Sequence, residues 1–473
     1  MNAPDWIRRN VPLLRPGAKN ETNQLLANTN PAGIATDFEV SKPVPSLPAS
    51  APRRSTGERL GATLRQKEEA LSPRVLRRTL EELKLVADEK VSKFEGGRRA
   101  KGVAQWYAKA TPEQRRDAWL LMSEQFAPDA QKVKAARELY DLAQGTPEEG
   151  QAEIRLRKAF QSPRTRLLQR FSVFPEGLRF LLDMRAELLP HLKTEKRLLA
   201  LDAELETLFA NWFDVAFLEL RRISWDSPAS LIEKLIQYEA VHAIKGWADV
   251  KNRLDSDRRC YGFFHPRLPN EPLIFVEVAL ASEISPCITP LLDEAAALVD
   301  LNTATTAIFY SINNTQAGLR GVTFGDSLIK RVVETLKTEF PKLKTFATLS
   351  PIPGLRAWLT KTSPELAKSL QDAGALALDE KSLLREALLR QAARYLGREM
   401  TDGKPLDPVA RFHLGNGARL ERLNWAGDPS ANGLRQSWGV MVNYLYDLKK
   451  LDKHRAMLAA GQVAMSGEVA ALL

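Results

Sequence analysis

The segment TTAIFYSINNTQAGLRGVTFGDSLIKRVVETLKTEF, residues 305–340, has glycines at a spacing that could bind a phosphate group. They are Gly318, Gly321 and Gly325. They separate an apolar, β-branched run that predicts a strand over Thr305–Ile312 from a pattern that predicts a helix from Asp326. Backbone N–H groups and the positive end of the helix dipole would then point at one spot, where a diphosphate could bind. The spacing GxxGxxxG matches neither the dinucleotide fingerprint nor the P-loop, so an ordinary strand-to-helix turn is the alternative interpretation.

Two side chains suited to proton transfer lie at predicted strand ends. Ser311 ends the strand before the glycine-rich loop, beside the place where the rest of a ligand would lie if its diphosphate bound there. His413, in VARFHLGNG, ends a strand predicted over Val409–Leu414, just before a Gly-Asn-Gly hairpin signal. An imidazole can change its protonation near neutral pH. The residues alone leave a turn serine and a structural histidine as alternatives.

Four motifs occur in one order along the chain: FYSI-x-x-TQ-x-GL-x-GV, LSPIPG, FHL-x-NGA and NW-x-x-D-x-S. With them, the chain from about Phe217 to Tyr446 resembles the malonyl-CoA decarboxylase family. The resemblance implies an α+β fold of two domains, an N-terminal all-α helical bundle followed by a GNAT acetyltransferase-like α/β catalytic domain. It also implies conversion of malonyl-CoA to acetyl-CoA and CO2 without a cofactor or metal.

The resemblance implies a catalytic Ser/His pair, Ser311 in FYSI and His413 in FHL, and a tyrosine that matches Tyr446. The sequence after position 428 predicts a last helix that runs past Tyr446, with Gly439, Asn443 and Tyr446 on one face. The resemblance also implies candidates for CoA binding, which are Glu283, Ile284, Ser285, Gln316, Gly318 and Gly321; the glycine-rich loop pattern adds Gly325. The pairs Pro286-Cys287 and Asn313-Asn314 depart from the family's pattern.

Decarboxylation of a malonyl thioester leaves an electron pair that flows onto the thioester oxygen, so the substrate is its own electron sink. A protein must place hydrogen-bond donors at the developing enolate oxygen. It must also bring a proton to the α-carbon and hold the carboxylate out of the thioester plane. A Ser/His pair would supply the donor and the proton.

Composition restricts the other classes of function. The chain has 473 residues, enough for two or more domains, and no apolar run of the ~18–20 residues that a membrane span needs. Two cysteines form neither a disulfide framework nor a metal cage, and a cytoplasmic enzyme is the simplest interpretation.

The net charge of +10 comes from residues 1–200, with 36 Lys and Arg against 25 Asp and Glu. Because these bases alternate with acids and lack interleaved aromatics, the sequence predicts a solvated helix face over Arg155–Arg170 and no nucleic-acid partner.

Three regions follow from the composition. Residues 1–58 predict a flexible tail, residues 59–206 a bundle of four to seven helices that mediates self-association as a dimer or tetramer, and residues 207–473 the catalytic domain. Helix breaks are predicted at Gly96-Gly97, Thr111-Pro112, Thr146-Pro147 and Ser162-Pro163.

Strands are predicted only after about residue 255. Glu239 and His242 form an ExxH pair without a second pair, so no metal site is expected.

Two other functions fit the same sequence. One is an acyl-CoA N-acyltransferase on the same scaffold, and the other is a non-catalytic, CoA-responsive scaffold. Malonyl-CoA is the expected substrate, without nucleic-acid or membrane partners.

Overall fold

A computed structural model describes residues 71–322 and 328–473. The predicted tail, residues 1–58, and the loop residues Gly325 and Asp326 lie outside the described residues. No helix in the described ranges is long and apolar enough to cross a bilayer.

Eight α-helices precede the first strand in the part of the chain that the structure describes, one more than the predicted maximum. They are α1 (Pro73–Ala87), α2 (Lys93–Lys109), α3 (Pro112–Glu124), α4 (Ala130–Ala143), α5 (Glu149–Phe160), α6 (Pro163–Phe171), α7 (Gly177–Leu188) and α8 (Leu199–Trp212). Thr111 and Ser162 cap α3 and α6 before a proline at the first helical turn, as predicted. The predicted division between residues 206 and 207 falls inside α8.

The predicted break at Gly96-Gly97 is wrong, because α2 runs through both glycines. Their role is close packing: a Cβ at position 97 would lie 2.7 Å from Cβ of Val173, and one at position 96 would lie 2.6 Å from Arg170. The prediction of a solvated face over Arg155–Arg170 is wrong at its C-terminal end, since Arg164 and Arg170 are buried. Arg164 Nε donates to Met122 O at 3.0 Å, so this charge joins helices instead of facing water.

The main sheet has eight strands in the described ranges, ordered β1-β2-β3-β4-β5-β10-β6, with β9 paired to β10. The strands are β1 (Glu219–Ile223), β2 (Arg258–Phe264), β3 (Pro272–Ala281), β4 (Thr306–Asn314), β5 (Thr345–Thr348), β6 (Ser350–Pro351), β7 (Met400–Thr401), β8 (Lys404–Pro405), β9 (Arg419–Asn424) and β10 (Met441–Leu445). Strands β7 and β8 form a separate two-stranded sheet. Strand β1 begins before residue 255, so the sequence prediction missed it.

Strands β4 and β5 are parallel, whereas every other pair in the main sheet is antiparallel within the described residues. The parallel register runs from Thr306↔Thr345 to Phe309↔Thr348. Beyond the last pair, Leu349 N donates to Phe309 O at 3.0 Å. Past this point the two chain segments have different partners: Ser311 pairs with Glu277 of β3 after an irregularity in the β3–β4 register, and Ser350 pairs with Val442 of β10.

The helices of the sheet region vary from four to 15 residues in length. They are α9 (Ala229–Tyr238), α10 (Trp247–Arg253), α11 (Thr289–Leu292), α12 (Leu328–Glu339), α13 (Leu355–Thr362), α14 (Pro364–Ala373), α15 (Leu383–Gly397), α16 (Pro408–Gly415), α17 (Ala431–Ser437), α18 (Leu451–Ala459) and α19 (Gly467–Ala470). The helical region followed by a mixed sheet confirms the predicted α+β fold class.

Two local predictions near the site are wrong. The segment Val409–Leu414 is part of helix α16, because Asp407 caps it and Pro408 occupies its first position. The predicted last helix ends at Ser437, where Trp438 and Gly439 take positive φ angles of 51° and 84°. The chain then reverses into β10, so Asn443 and Tyr446 belong to a strand region and not to a helix face.

Candidate active site

Ser311 lies in the second half of β4, with 2% of its surface exposed. Its Oγ is 2.8 Å from Oε2 of Glu239, the residue that follows α9. Nδ2 of Asn313 donates to Ser311 Oγ at 2.6 Å and to the same Glu239 oxygen at 2.8 Å. The Asn313 amide has a fixed orientation, because its Oδ1 accepts from Ala240 N at 3.0 Å.

Glu239 has a complete set of hydrogen bonds although it is buried. Its Oε1 accepts from Val241 N at 2.7 Å and from His242 N at 2.8 Å. Burial raises the pKa of the Glu239 carboxyl above its usual range, against the opposing effect of nearby Arg253. The ExxH pair is therefore no ligand pair: its glutamate orients a serine hydroxyl.

The second half of the site is His413, in the last turn of α16. The helix is fixed by Asp407, whose Oδ1 accepts from Val409 N and Ala410 N, both at 2.9 Å. The imidazole is stacked on the Tyr444 ring with centroids 4.6 Å apart. Burial lowers the pKa of His413 to about 3, so the ring is neutral at physiological pH.

Both ring nitrogens of His413 have partners. Nδ1 lies 2.7 Å from the Tyr446 hydroxyl and Nε2 lies 3.2 Å from Ser350 Oγ. Burial raises the pKa of Tyr446 far above its usual range, so the phenol keeps its proton and can donate a hydrogen bond to Nδ1. Ser350 Oγ donates to Thr348 Oγ1 and can therefore accept at Nε2, and the two contacts together fit the tautomer with hydrogen on Nε2.

Ser350, on β6, is the partner of His413 Nε2. It is the serine of LSPIPG, and it also bonds to Thr348 Oγ1 at 2.9 Å. Ser311 on β4 and Ser350 on β6 belong to one sheet, in which β5 and β10 lie between them. The structure thus places Ser311 and the His413 partner on one sheet while holding them by separate hydrogen-bond sets.

The segment Glu283–Ser285 follows β3 and is tied to the strands beside His413. Arg422 Nη2 donates to Ile284 O at 2.9 Å, and Asn443 Nδ2 donates to Ser285 O at 3.1 Å. The same Asn443 amide donates to Thr348 O at 2.7 Å. This candidate CoA segment and the histidine pocket are therefore assembled on one polar network.

The loop after β4 packs on the helical region. Gln316 is buried, donating to Pro272 O at 3.2 Å and accepting from Arg179 at 2.5 Å. A Cβ at Gly318 would lie 2.1 Å from Leu182 O, so helix packing already requires this glycine. Gly321 has φ = +83°, a conformation that favours glycine. Gly325 lies outside the described residues, as does the predicted helix start at Asp326.

Sequence reasoning missed Glu239, Asn313 and Ser350 as parts of the site. Glu239 was visible only as an ExxH pair, and Asn313 only as a departure from the family's pattern. Ser350 lies in the motif LSPIPG, and this motif is the one sequence signal that could have identified it as a site residue. Among the described residues, no group of three or more His, Cys, Asp or Glu side chains is placed to hold a metal ion.

Comparison with known proteins gives a consistent result. Residues 216–473 match the model of the malonyl-CoA decarboxylase C-terminal domain, and residues 126–213 match the model of its N-terminal domain. Malonyl-CoA decarboxylase, mitochondrial, from Anser anser anser is 38% identical over 343 residues, covering 63% of this chain and 67% of the relative. The protein of that name from Rattus norvegicus is also 38% identical, over 63% of this chain and 68% of its own.

Solved structures agree with the sequence matches. A malonyl-CoA decarboxylase from Agrobacterium vitis superposes with a TM-score of 0.76 at 40% identity, over 84% of this chain and 99% of that chain. The one from Rhodopseudomonas palustris gives a TM-score of 0.75 at 40% identity, over 83% and 98%. The chain belongs to the malonyl-CoA decarboxylase family.

Proposed function

We propose that this protein is a malonyl-CoA decarboxylase, a carboxy-lyase that converts malonyl-CoA to acetyl-CoA and CO2 with Ser311, His413 and Tyr446 as its catalytic residues. The family match over residues 216–473 is the observation that carries the proposal. The geometry supports it, because a buried seryl hydroxyl and the hydrogen-bond partner of a neutral buried imidazole lie on strands of one sheet.

His413 is suited to stabilise the thioester enolate. Its Nε2–H points at Ser350 Oγ. If the thioester oxygen of the substrate lay beside this hydroxyl or in its place, it would accept a hydrogen bond from Nε2–H, and that donor would keep its orientation through the reaction. A fixed donor aimed at a developing oxyanion typically contributes roughly 10²–10³-fold in rate. Tyr446 maintains the required tautomer.

The CoA moiety is assigned to Glu283, Ile284, Ser285 and the loop from Gln316 to Gly325, with the diphosphate before helix α12. Support comes from the attachment of Ile284 and Ser285 to the strands beside His413. The positive φ of Gly321 supports the loop assignment, since it gives the chain a turn in which backbone N–H groups can converge.

Residues 59–206 are assigned to self-association, as a dimer or tetramer, and residues 207–473 to catalysis, with α8 completing the bundle. Helices α4 and α5 support this: each buries a single alanine, whereas Leu142 and Ile154 are 80% and 65% exposed. Large apolar side chains on a helical hairpin are typical of a surface that another chain covers.

A cytoplasmic location is supported by two free cysteines, Cys260 and Cys287.

The direct test is incubation of the purified protein with malonyl-CoA alone, followed by measurement of acetyl-CoA and CO2. Stoichiometric formation of both products supports the decarboxylase. An acyl-CoA N-acyltransferase would form no acetyl-CoA without an amine acceptor. A CoA-responsive scaffold would bind malonyl-CoA, as measured by calorimetry, and leave it intact.

A further inference from the structure

We propose that Glu239 is the positioning residue of Ser311, holding the proton that Ser311 delivers to the α-carbon of the substrate enolate. The proposal rests on the function proposed above and deepens it. It assigns the proton to the Ser311 side of the site, and leaves His413 as the donor to the enolate oxygen.

The first argument is the hydrogen-bond geometry. Oε1 of Glu239 is occupied by two backbone N–H donors, so a proton on this carboxyl belongs on Oε2, which lies 2.8 Å from Ser311 Oγ. Asn313 donates to both Oε2 and Oγ, and its own orientation is fixed by Ala240 N. With Oε2 protonated, Ser311 Oγ accepts from Glu239 and Asn313, and its own hydrogen is free to point at a substrate.

The second argument is the local charge. Arg253 is buried and pairs directly with Asp249 at 2.7 Å and with Glu277 at 3.0 Å. Glu239 is therefore a third buried carboxyl beside one guanidinium that already has two carboxylate partners. Keeping all three ionised would bury an uncompensated negative charge, which is costly in a low-dielectric interior. Burial raises the pKa of Glu277 to about 8, so Glu277 carries a proton at neutral pH, and Asp249 neutralises Arg253. An ionised Glu239 would still have no cationic partner of its own, so the cluster favours a proton on Glu239 as well.

The titratable and charged groups around Glu239 come from several elements. They are Arg253 and Asp249 on α10, Cys260 on β2, Glu277 on β3, and His242 in the segment after α9. Burial raises the pKa of Glu277 to about 8 and lowers that of His242 to about 4, so His242 adds no positive charge at neutral pH. Burial likewise raises the pKa of Glu239, which agrees with a carboxyl that keeps its proton.

The reaction then balances without another reactant. The bond between the carboxylate carbon and the α-carbon breaks, CO2 leaves, and the electron pair remains as the thioester enolate. A C–H bond forms as Ser311 Oγ gives its proton to the α-carbon, and Oγ takes the proton from Glu239 Oε2. Glu239 ends the cycle ionised and is protonated again from water, so each turnover consumes one solvent proton.

The test uses the full chain carrying Glu239→Gln. The Nε2–H of glutamine can donate to Ser311 Oγ as the carboxylic acid does, but it cannot give up its proton. We expect kcat to fall by about 10²-fold or more, the range of general acid loss, with KM within about threefold. For the wild type, kcat should fall as pH rises through the pKa of Glu239, because the ionised form has no proton to deliver. This alkaline limb should be absent in Glu239→Gln.

Three further variants complete the test. Asp257→Asn is the matched control, because it also changes a buried acid to its amide. The Asp257 carboxyl accepts a backbone hydrogen bond from Val299 N, as Glu239 does from its own neighbours, and kcat of this variant should stay near that of the wild type. Ser311→Ala combined with Glu239→Gln should be no slower than Ser311→Ala alone, because Glu239 acts through Ser311. If Glu239→Gln does not fold, Glu239→Asp retracts the carboxyl by one methylene and should lower kcat at least tenfold.

The outcomes separate this proposal from the proposed function. Full kcat with an unchanged pH profile in Glu239→Gln, or in Glu239→Asp where the glutamine variant does not fold, overturns the role of Glu239. If His413→Ala is inactive in the same assay, the decarboxylase stands. A wild-type protein that makes no acetyl-CoA overturns both proposals.

Discussion

The Tyr446 hydroxyl and His413 Nδ1 lie 2.7 Å apart, and both groups are buried. Burial keeps the phenol protonated and the imidazole neutral. Because Ser350 Oγ donates to Thr348 Oγ1 and can accept at Nε2, the arrangement fits a hydrogen bond from Tyr446 to Nδ1 of His413. Tyr444, two residues earlier in the chain, stacks on the same ring. The β10 region therefore sets both the orientation and the tautomer of the histidine.

Removing this hydroxyl should disturb the tautomer while leaving the pocket's shape unchanged. Tyr446→Phe is expected to lower kcat by roughly 10-fold or more with little change in KM, because the donor at Nε2 acts mainly on the transition state. Steady-state kinetics with malonyl-CoA measures both constants. A variant with wild-type kcat would show that Tyr446 only packs against the ring.

His413 itself should not titrate in the physiological range. Because burial lowers its pKa to about 3, the ring stays neutral above roughly pH 4, and ¹⁵N NMR of the imidazole should show no titration between pH 5 and 8. His413→Ala should lose roughly 10²–10³-fold in kcat while keeping the fold. A titration midpoint between pH 6 and 7 would contradict the neutral donor.

Ser311→Ala is expected to lose most of kcat, and its effect should not add to that of His413→Ala. Both side chains would act on one transition state, so the double variant should be little slower than the slower single variant. A double-mutant cycle on kcat measures this coupling. Simple multiplication of the two losses would mean that the groups act in separate steps.

The strands that carry Ser311 could be predicted from sequence because they are continuous apolar runs. Leu273–Leu280 and Thr305–Ile312 both fall within or nearly within the observed strands β3 and β4. The short segment Val409–Leu414, which contains His413, was predicted as a strand but is helical, since an apolar run of six residues fits either a strand or a turn of helix. Asp407 and Pro408 were the signals that distinguish them, as a helix cap followed by a proline.

The partners of the site could not be predicted for a different reason. Glu239 is 72 residues from Ser311, and Ser350 is 63 residues from His413. Such contacts depend on strand order and on how the segment after α9 and helix α16 pack against the sheet, which leave no periodic pattern in the sequence. The family resemblance supplied Ser311, His413 and Tyr446, but it could not supply the hydrogen bonds that orient them.

Self-association should depend on the exposed apolar residues of the α4–α5 hairpin. Leu142→Asp and Ile154→Asp in the full chain are expected to lower the oligomeric state and leave the unfolding temperature of the monomer unchanged, because both side chains face outward. Light scattering coupled to gel filtration measures the mass. Leu383→Asp, also 80% exposed but on α15, is the matched control. A wild-type monomer at micromolar concentration would contradict the prediction.

Binding of the CoA diphosphate should depend on the loop containing Gly321. Gly321→Val is expected to raise KM for malonyl-CoA more than tenfold, because a β-branched residue resists φ = +83° and would crowd the phosphates. Gly374→Val is the matched control: its φ is +69°, and a Cβ there meets nothing within 4 Å. Both variants carry similar backbone strain, so both should lose similar stability. If KM rises only in Gly321→Val, the phosphates bind at this loop. Equal KM values in the two variants would place the diphosphate elsewhere.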